Sequence, residues 1–566
     1  MKDMSVPIGN SDFRSIREEG YYYIDKTGLI GELLQTEGTK VTLITRPRRF
    51  GKSLGMSMLA HFFDIREDSR KLFEGLKVSE NKELCEKWQN RYPVLFLSFK
   101  DIAGLDFDGA KDMLRSRIFE LCMEHSYLEK SEKVSQYART FFSQMSDIVN
   151  GKMTDAQLKT SISLIMQMMQ AHYGKQVILL IDEYDVPVAK ANINGYYEQM
   201  IDLIRGILST VLKDNTVLKF AVLTGCLKIT KESIFTGTNN FITDTISDRR
   251  YNEYFGFTQK EVEKLLRDAE MENKLELVQQ WYDGYHFGDL DIYCPWDVLN
   301  YVKKVLEQGV EKPENFWEHT SDNAVVEQFL EKTNFDVTEK FETLLSGNYI
   351  KETISENLTY NFLTSSEENL WSLLHMTGYL TKVKPEDMET GDELEEGQTA
   401  LRIPNAEVTD IFRKSVVEWF HKKVVGSDRR ELFSALWNGD AERLTELLSD
   451  LLFDTISFHD YAESFYHAFV TGLVASAGYI VESNYENGLG RSDIVVKDRR
   501  NRRAAVIEAK IAADENTMEK ECKKALLQIE EKQYARKLER SGFRKVIRYG
   551  VAFYKKECLV KTEEQH

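Results

Sequence analysis

The stretch "RPRRFGKSL", residues 46–54, ends in the residue types of a phosphate-binding loop. Gly51, Lys52 and Ser53 match the end of the pattern G-x-x-x-x-G-K-[ST], whereas Arg46 stands where that pattern has its first glycine. The run "KVTLIT" before the loop predicts a strand, and "KSLGMSMLAHFF" after it predicts a helix whose first N–H groups favour phosphate. A lysine at this point is expected to contact the β- and γ-phosphates of ATP, and a serine is expected to bind Mg²⁺. The predicted nucleotide contacts are Arg46, Pro47, Arg48, Arg49, Phe50, Gly51, Lys52, Ser53 and Leu54.

Two further strand ends carry groups that such a loop would need. "QVILLIDEYD", residues 176–185, is an apolar strand that ends in adjacent carboxylates, so Asp182 is expected to hold Mg²⁺ and Glu183 to polarise the attacking water. "LKFAVLTG" ends near Thr224, a candidate sensor of the γ-phosphate. The alternatives are an ordinary turn at the loop glycine, a buried strand capped by solvated acids, and a threonine that only forms a turn. Because both parts of the site occur in one chain, we favour a nucleotide site.

A third group of charged residues lies near the C-terminus. "GLGRSDIVVKDRRNRRAAVIEAK" predicts two strands joined by a basic turn, with Asp493 on the first strand and Glu508 and Lys510 two positions apart on the second. Alternation along a strand puts the last two on one face, and hairpin pairing would bring Asp493 near it. Two carboxylates there could hold Mg²⁺ while the lysine positions the water that attacks a phosphodiester. A Glu–Lys salt bridge at a sheet edge is the alternative.

The elements that must position these residues predict an α/β protein. Short apolar runs alternate with longer helical stretches over the first ~260 residues, which is typical of βαβ units around a mostly parallel sheet. We therefore predict a P-loop ATPase domain over residues 1–257, a mainly helical region over 258–435, and a smaller α/β domain over 436–566. Within the middle region, "EENLWSLLHMTGYLTKV" and "ALRIPNAEV" could form the helix and wing of a winged helix. "SDRRELFSALWNGDAERLTELLSDLL" predicts a helical pair.

Charge and composition narrow the range of partners. The chain of 566 residues has a formal net charge of -18, which argues against a surface that coats nucleic acid throughout. Residues 491–566 nevertheless carry 20 Lys and Arg against 13 Asp and Glu, a balance of +7 that leaves -25 for residues 1–490. The basic end is where DNA is expected to bind, although a solvated helical surface would give the same balance. Six separated cysteines predict reduced thiols, and the lack of a long apolar run predicts a cytoplasmic protein without membrane contact.

Several motifs in their order along the chain resemble those of a known family. They are "YYYIDKTGLI", "RPRRFGKS", "LLIDEYDVP", "LTGCLKITKESIFTGTNNF", "YNEYFGFT" and "WYDGYHFG". Together they resemble the bacterial AAA-ATPase-like proteins that often carry a C-terminal PD-(D/E)XK nuclease domain. In that family the first P-loop glycine is typically replaced, so Arg46 fits the family although it departs from the general pattern, whereas Lys228 stands where many members are expected to have arginine.

The resemblance implies further site residues and a restriction-endonuclease-like fold for the C-terminal domain. Glu463 in "ESFYHAFVTGLV" would be an additional metal-site carboxylate, beside Asp493 and Glu508, and Gln528 in "KKALLQIEEKQYA" would help to order the catalytic site. The resemblance also suggests a role in bacterial defence or in the biology of mobile elements. In a homo-oligomer, Arg249 or Arg250 could supply an arginine finger to a neighbouring subunit, although both fit a surface turn as well.

Two functions remain as hypotheses. In the first, ATP and Mg²⁺ binding or hydrolysis regulates a metal-dependent DNA nuclease. In the second, the protein is a STAND-like signalling NTPase whose C-terminal domain binds nucleic acid or a partner without cleaving it. The presence of Asp493, Glu508 and Lys510 favours the first.

Overall fold

The computed structural model divides the chain into two compact units. One comprises Met1–Ser321 with Lys351–Val408, and the other comprises Asp322–Ile350 with Thr409–His566. The residues it describes are 4–35, 38–145, 153–228, 241–317, 337–356, 366–412, 430–455, 466, 470, 473–474, 479–487, 490–531, 538–555 and 557–564.

A parallel five-stranded sheet forms the centre of the first unit. Its strands are β1 (Val41–Thr45), β2 (Val94–Ser98), β3 (Val177–Asp182), β4 (Leu218–Gly225) and β5 (Phe241–Asp244). The order across the sheet is β2-β3-β4-β1-β5, and every pairing is parallel. The central strands β1 and β3 are buried along their whole length, as expected for strands covered on both faces. The parallel α/β fold predicted for this part of the chain is confirmed.

Helices cover both faces of this sheet. The helices of this part of the chain are α1 (Phe13–Glu18), α2 (Gly28–Gln35), α3 (Lys52–Phe63), α4 (Arg70–Phe73), α5 (Lys77–Glu80), α6 (Lys82–Trp88), α7 (Phe107–Glu124), α8 (Gln136–Met145), α9 (Asp155–Tyr173), α10 (Val186–Asn194) and α11 (Tyr197–Leu212). One face packs against α7 to α11 in a single apolar core, whereas α3 packs against β2, β3 and β4 from outside that core. The helix after the loop is thereby fixed against the strands that carry the predicted acids.

The chain after β5 forms helices and two small sheets. The helices are α12 (Gln259–Asp268), α13 (Leu275–Tyr282), α14 (Pro295–Gln308), α15 (Thr338–Leu345) and α16 (Glu367–Met376). The strands are β6 (Phe257–Thr258), β7 (Tyr285–Phe287), β8 (Leu290–Tyr293), β9 (Ile350–Thr353), β10 (Thr381–Lys382) and β11 (Gln398–Arg402). Their orders are β6-β8-β7 and β10-β11-β9. A helix followed by paired strands thus occupies residues 367–402, and its classification as a winged helix stays a prediction.

The second unit contains a mixed five-stranded sheet. Its strands are β12 (Ile480–Asn487), β13 (Gly490–Asp498), β14 (Arg503–Ile511), β15 (Lys545–Tyr554) and β16 (Glu557–Glu564), and its helices include α17 (Arg430–Asn438), α18 (Ala441–Thr455) and α19 (Met518–Glu531). The strands follow their chain order across the sheet, with β14 and β15 parallel and the other pairs antiparallel. The predicted helical pair, α17 and α18, packs on one face, and α19 contacts β14, β15 and β16.

All six cysteines are free, and four of them are buried. Within the described part of the chain, no helix is long and apolar enough to cross a membrane.

Candidate functional site

The predicted phosphate loop connects β1 to α3. Gly51 has φ 85°, in the left-handed region that glycine adopts most easily, and Lys52 is the first residue of the helix. The buried Lys52 side chain folds back over the loop, because its Nζ donates to the carbonyl oxygens of Arg46 at 2.9 Å and Pro47 at 2.8 Å. The ammonium group is therefore held at the loop, where the sequence predicts phosphate.

Asp182, the last residue of β3, joins this loop to two neighbouring strands. Ser53 Oγ donates to its Oδ2 at 2.6 Å, and Thr224 Oγ1 donates to its Oδ1 at 2.5 Å. β3 and β4 are adjacent and parallel, so their carboxyl ends meet at the edge where ligands bind in open α/β sheets. The structure thus brings three of the predicted residues into direct contact, and their oxygen atoms are of the type that Mg²⁺ prefers.

Glu183 follows this aspartate in an uncommon backbone conformation. Its φ is 55°, a left-handed value that is rare for residues other than glycine, asparagine and aspartate. Burial raises the pKa of its carboxyl group, the negative charge of Asp182 raises it further, and the positive charges of Lys52 and Arg48 oppose the shift. A carboxylate with a raised pKa beside a phosphate loop has the properties of a general base.

The Arg46 side chain faces the protein interior. Its guanidinium is fully buried, donates through Nη2 to Asp244 Oδ1 at 2.5 Å, and lies 5.5 Å from the ring centre of Phe255 and 5.6 Å from that of Phe287. Its backbone N–H donates to Gly225 O at 3.1 Å. This geometry favours a role in stiffening the loop over a contribution of charge near the phosphates.

The other loop residues differ in exposure. Arg48 is exposed and its charge acts on Glu183, whereas Pro47 is buried. Phe50 is fully buried against Tyr285, with the ring centres 4.9 Å apart. Leu54 is half-buried in the first turn of α3. Arg49 is half-buried and has φ 72°.

The C-terminal carboxylate strand forms as the alternation predicts. β13 and β14 are antiparallel with Ile494 opposite Ile507, so the next positions in this register are Asp493 and Glu508. Opposite residues of an antiparallel pair share a face. Glu508 is buried, and its Oε1 accepts hydrogen bonds from Lys510 Nζ at 3.3 Å and from Gln528 Nε2 of α19. Three of the predicted nuclease residues are thus in contact.

The remaining predicted metal ligands lie at the limits of the described structure. Glu463 falls outside the described residues, and for Asp493 only the backbone position is described. Among the side chains that are described, no group of three or more His, Cys, Asp or Glu is arranged to hold a metal ion. Of the three predicted metal-binding carboxylates, only Glu508 has a side chain within the described structure.

The basic turn between β13 and β14 divides into two kinds of arginine. Arg503 pairs with Asp498 at 2.8 Å and lies 4.5 Å from the ring centre of Trp437, so it fixes the turn to α17. Arg499, Arg500 and Arg502 are exposed. Exposed arginines of this kind attract phosphate without reading base sequence.

The parallel sheet carries the phosphate loop, and the mixed sheet carries the carboxylate strand; the families that match these two parts of the chain support an ATPase/nuclease architecture. Residues 7–235 match a family described as predicted AAA-ATPase, and residues 461–563 match the PD-(D/E)XK nuclease superfamily. These matches confirm the domain composition that the sequence motifs predict.

A similar protein is known from Azotobacter chroococcum mcd 1, where it is described as an uncharacterized protein in the vnfD 5′ region. The two are 31% identical over 306 residues, which is 54% of this chain and 53% of the relative. The chain thus spans about half of the length of that relative.

Sequence reasoning missed four acidic residues near the loop. Asp185 belongs to the motif "LLIDEYD" but received no role; its buried Oδ2 accepts from the backbone N–H groups of Cys226 and Leu227, both at 2.9 Å. Asp244 ends a strand that the pattern did not reveal. Asp297 and Glu407 are buried and act on Arg49. Only Asp185 had a signal in the sequence, because it follows the predicted metal ligand by three positions.

Proposed function

We propose that the first unit binds and hydrolyses ATP with Mg²⁺. The observation that carries this proposal is the double contact of Asp182 with Ser53 and Thr224, because it joins the phosphate loop to the acidic strand end. Lys52 would contact the β- and γ-phosphates, and Ser53 and Asp182 would hold the metal. Bound Mg²⁺ would neutralise charge on the phosphates. Glu183 would accept a proton from the attacking water, and its raised pKa supports that role.

The second unit is, in this proposal, a metal-dependent DNA nuclease. Asp493 and Glu508 would hold Mg²⁺ together with Glu463, and Lys510 would position the attacking water. Gln528 would order the site through its hydrogen bond to Glu508. The match to the PD-(D/E)XK superfamily supports this assignment, and the exposed arginines of the basic turn support DNA as the substrate. The nucleotide state of the first unit would regulate cleavage, in bacterial defence.

The same proposal covers the organisation of the chain. It places the ATPase domain in residues 1–257, a helical region with a winged helix in 258–435 and the nuclease domain in 436–566. In this proposal the protein forms a homo-oligomer in the cytoplasm, and Arg249 or Arg250 supplies an arginine finger to the ATP site of a neighbouring subunit. Both arginines are exposed, which supports a contact with another subunit.

One set of assays tests both activities on purified variants. Lys52→Ala should abolish ATP binding because it removes the ammonium group from the loop, and Lys510→Ala should abolish Mg²⁺-dependent cleavage of DNA while ATP binding persists. Each variant is the control for the other, since each leaves the second site intact. Unchanged ATP affinity in Lys52→Ala would exclude the nucleotide site, and a wild type that binds DNA without cleaving it would favour the signalling switch.

A further inference from the structure

Arg49, two positions before the loop glycine, has a strained backbone. Its φ of 72° lies in the left-handed region, which costs a non-glycine residue about 1 kcal/mol. Such a conformation persists where the surrounding structure determines it. The contacts of the Arg49 side chain show what determines it here.

The guanidinium of Arg49 contacts the region after β8. Its Cζ lies 5.5 Å from the ring centre of Trp296, the second residue of α14, and its Nη1 donates to Phe316 O at 3.4 Å. Both contacts come from a segment more than 240 residues further along the chain. The loop is therefore held by a part of the first unit outside the parallel sheet.

Two buried acids lie behind this contact. Asp297 and Glu407 are fully buried. Burial lowers the pKa of the Arg49 guanidinium, and the negative charges of Asp297 and Glu407 oppose that shift. Glu407 Oε1 accepts from the backbone N–H groups of Phe316 at 2.6 Å and Trp317 at 2.9 Å. The Asp297 carboxyl group also interacts by hydrogen bonds with the Glu407 carboxyl group and the Cys294 thiol.

The positive charge of Arg49 is balanced if Asp297 and Glu407 share one proton and together carry one negative charge. Burial raises the pKa of both carboxyl groups, to about 6 for Asp297 and to about 10 for Glu407. The charge of Asp297 raises the pKa of Glu407 further, whereas the hydrogen bond with Glu407 lowers that of Asp297, so the pair retains one proton near neutral pH. The other titratable groups that face the pair are the Cys294 thiol and the Tyr282 and Tyr285 phenols, whose pKa values burial raises, so they are neutral. The acid pair therefore carries one negative charge, and Arg49 is its cation.

We propose that Arg49 is a positioning residue of the nucleotide site, which the Asp297–Glu407 pair and Trp296 hold so that loop 46–51 keeps its binding shape. Affinity for nucleotide then depends on the contact between the loop and segment 294–317. The inference rests on the proposed ATP binding, but the shape of the loop can be measured without nucleotide.

The test combines amide exchange of residues 46–55, measured by mass spectrometry on the full chain without nucleotide, with affinity for a non-hydrolysable ATP analogue. Arg49→Met should speed exchange of the loop at least tenfold and weaken binding at least tenfold. Glu407→Gln should change neither by more than about twofold, because an amide there leaves Asp297 charged and still accepts both N–H bonds. Asp297→Asn combined with Glu407→Gln should resemble Arg49→Met, since Arg49 then has no counter-ion.

Controls separate positioning from general destabilisation. Arg66 is a half-buried arginine that forms an ion pair with Asp64 at 2.6 Å, so Arg66→Met should lower the melting temperature without changing loop exchange or affinity. Adding the two amide substitutions to Arg49→Met should cause no further loss, because the coupled groups are then all neutral. Loop exchange in Arg49→Met equal to that of the wild type would overturn the inference. A wild type without affinity for the analogue would instead refute ATP binding, and loop exchange would still decide the role of Arg49.

Discussion

Glu183 combines a strained backbone with a carboxyl group that resists ionisation. Burial and the negative charge of Asp182 both disfavour the charged form of Glu183, so its pKa is higher than that of an ordinary glutamate, which is about 4.3. A general base acts only when it is deprotonated. We therefore expect ATP hydrolysis to be slow below the pKa of Glu183, where the carboxyl group is protonated, and to become faster as the pH rises through that pKa.

The variant Glu183→Gln tests this assignment. Removal of a general base typically costs 10²–10⁴-fold in rate, so turnover should fall by about that factor while affinity for ATP is retained. The residual rate should lose the acidic limb of the pH profile, because the amide does not titrate. Hydrolysis at the wild-type rate, or an unchanged acidic limb in the variant, would contradict the role of Glu183.

At the scale of elements, the Arg46 side chain fixes the start of the phosphate loop to the end of β5. Both Arg46 and Asp244 are buried, and removal of one partner of a buried pair leaves an uncompensated charge that costs about 3–5 kcal/mol. We expect Arg46→Met and Asp244→Asn each to lower the free energy of unfolding by about that amount. The double variant should lose less than the sum of the two, since no unpaired charge remains.

Two comparisons make the result specific to this contact. Arg46→Gly restores the residue of the general loop pattern, yet it should destabilise the protein as well because Asp244 loses its cation. The pair of Arg70 and Asp68 is the control, since their side chains are 78% and 64% exposed and solvent screens such a pair, so its removal should hardly change stability. If denaturant unfolding shows Arg46→Gly to be as stable as the wild type, the loop does not depend on β5.

The strands that could be predicted from the sequence are more deeply buried than those that could not. β1 and β3 are continuous apolar runs buried on both faces, so the sequence predicts them as strands. The phosphate loop and the acidic residues could then be placed at the ends of these strands. β5 was missed because "FITD" is only four residues long and mostly half-buried, so the partner of Arg46 could not be anticipated. The edge strands β12 and β16 were also missed, because the charged residues of "IVESNYEN" and "ECLVKTEE" interrupt the apolar pattern that predicts a strand. Asp297 and Glu407 are more than 100 residues apart, and no local pattern connects them.

At the scale of the whole molecule, the two candidate chemistries lie in different compact units. The phosphate loop belongs to the first unit, and Glu508, Lys510 and Gln528 belong to the second. Two such sites in one chain could act independently, or the nucleotide could control the nuclease. An allosteric link requires that a ligand of one site change the free energy of events at the other.

We therefore predict that the rate of Mg²⁺-dependent DNA cleavage differs between ATP, ADP and a non-hydrolysable analogue, by at least fivefold between the most and least active states. This ratio corresponds to about 1 kcal/mol of coupling, the lower end of the usual range. Lys52→Ala should remove the differences while cleavage itself persists, because it changes only the phosphate loop. Glu183→Gln should separate binding from hydrolysis: it should respond to ATP as the wild type responds to the analogue. Equal cleavage rates under all three nucleotides would show that the units act independently, even if each activity is present.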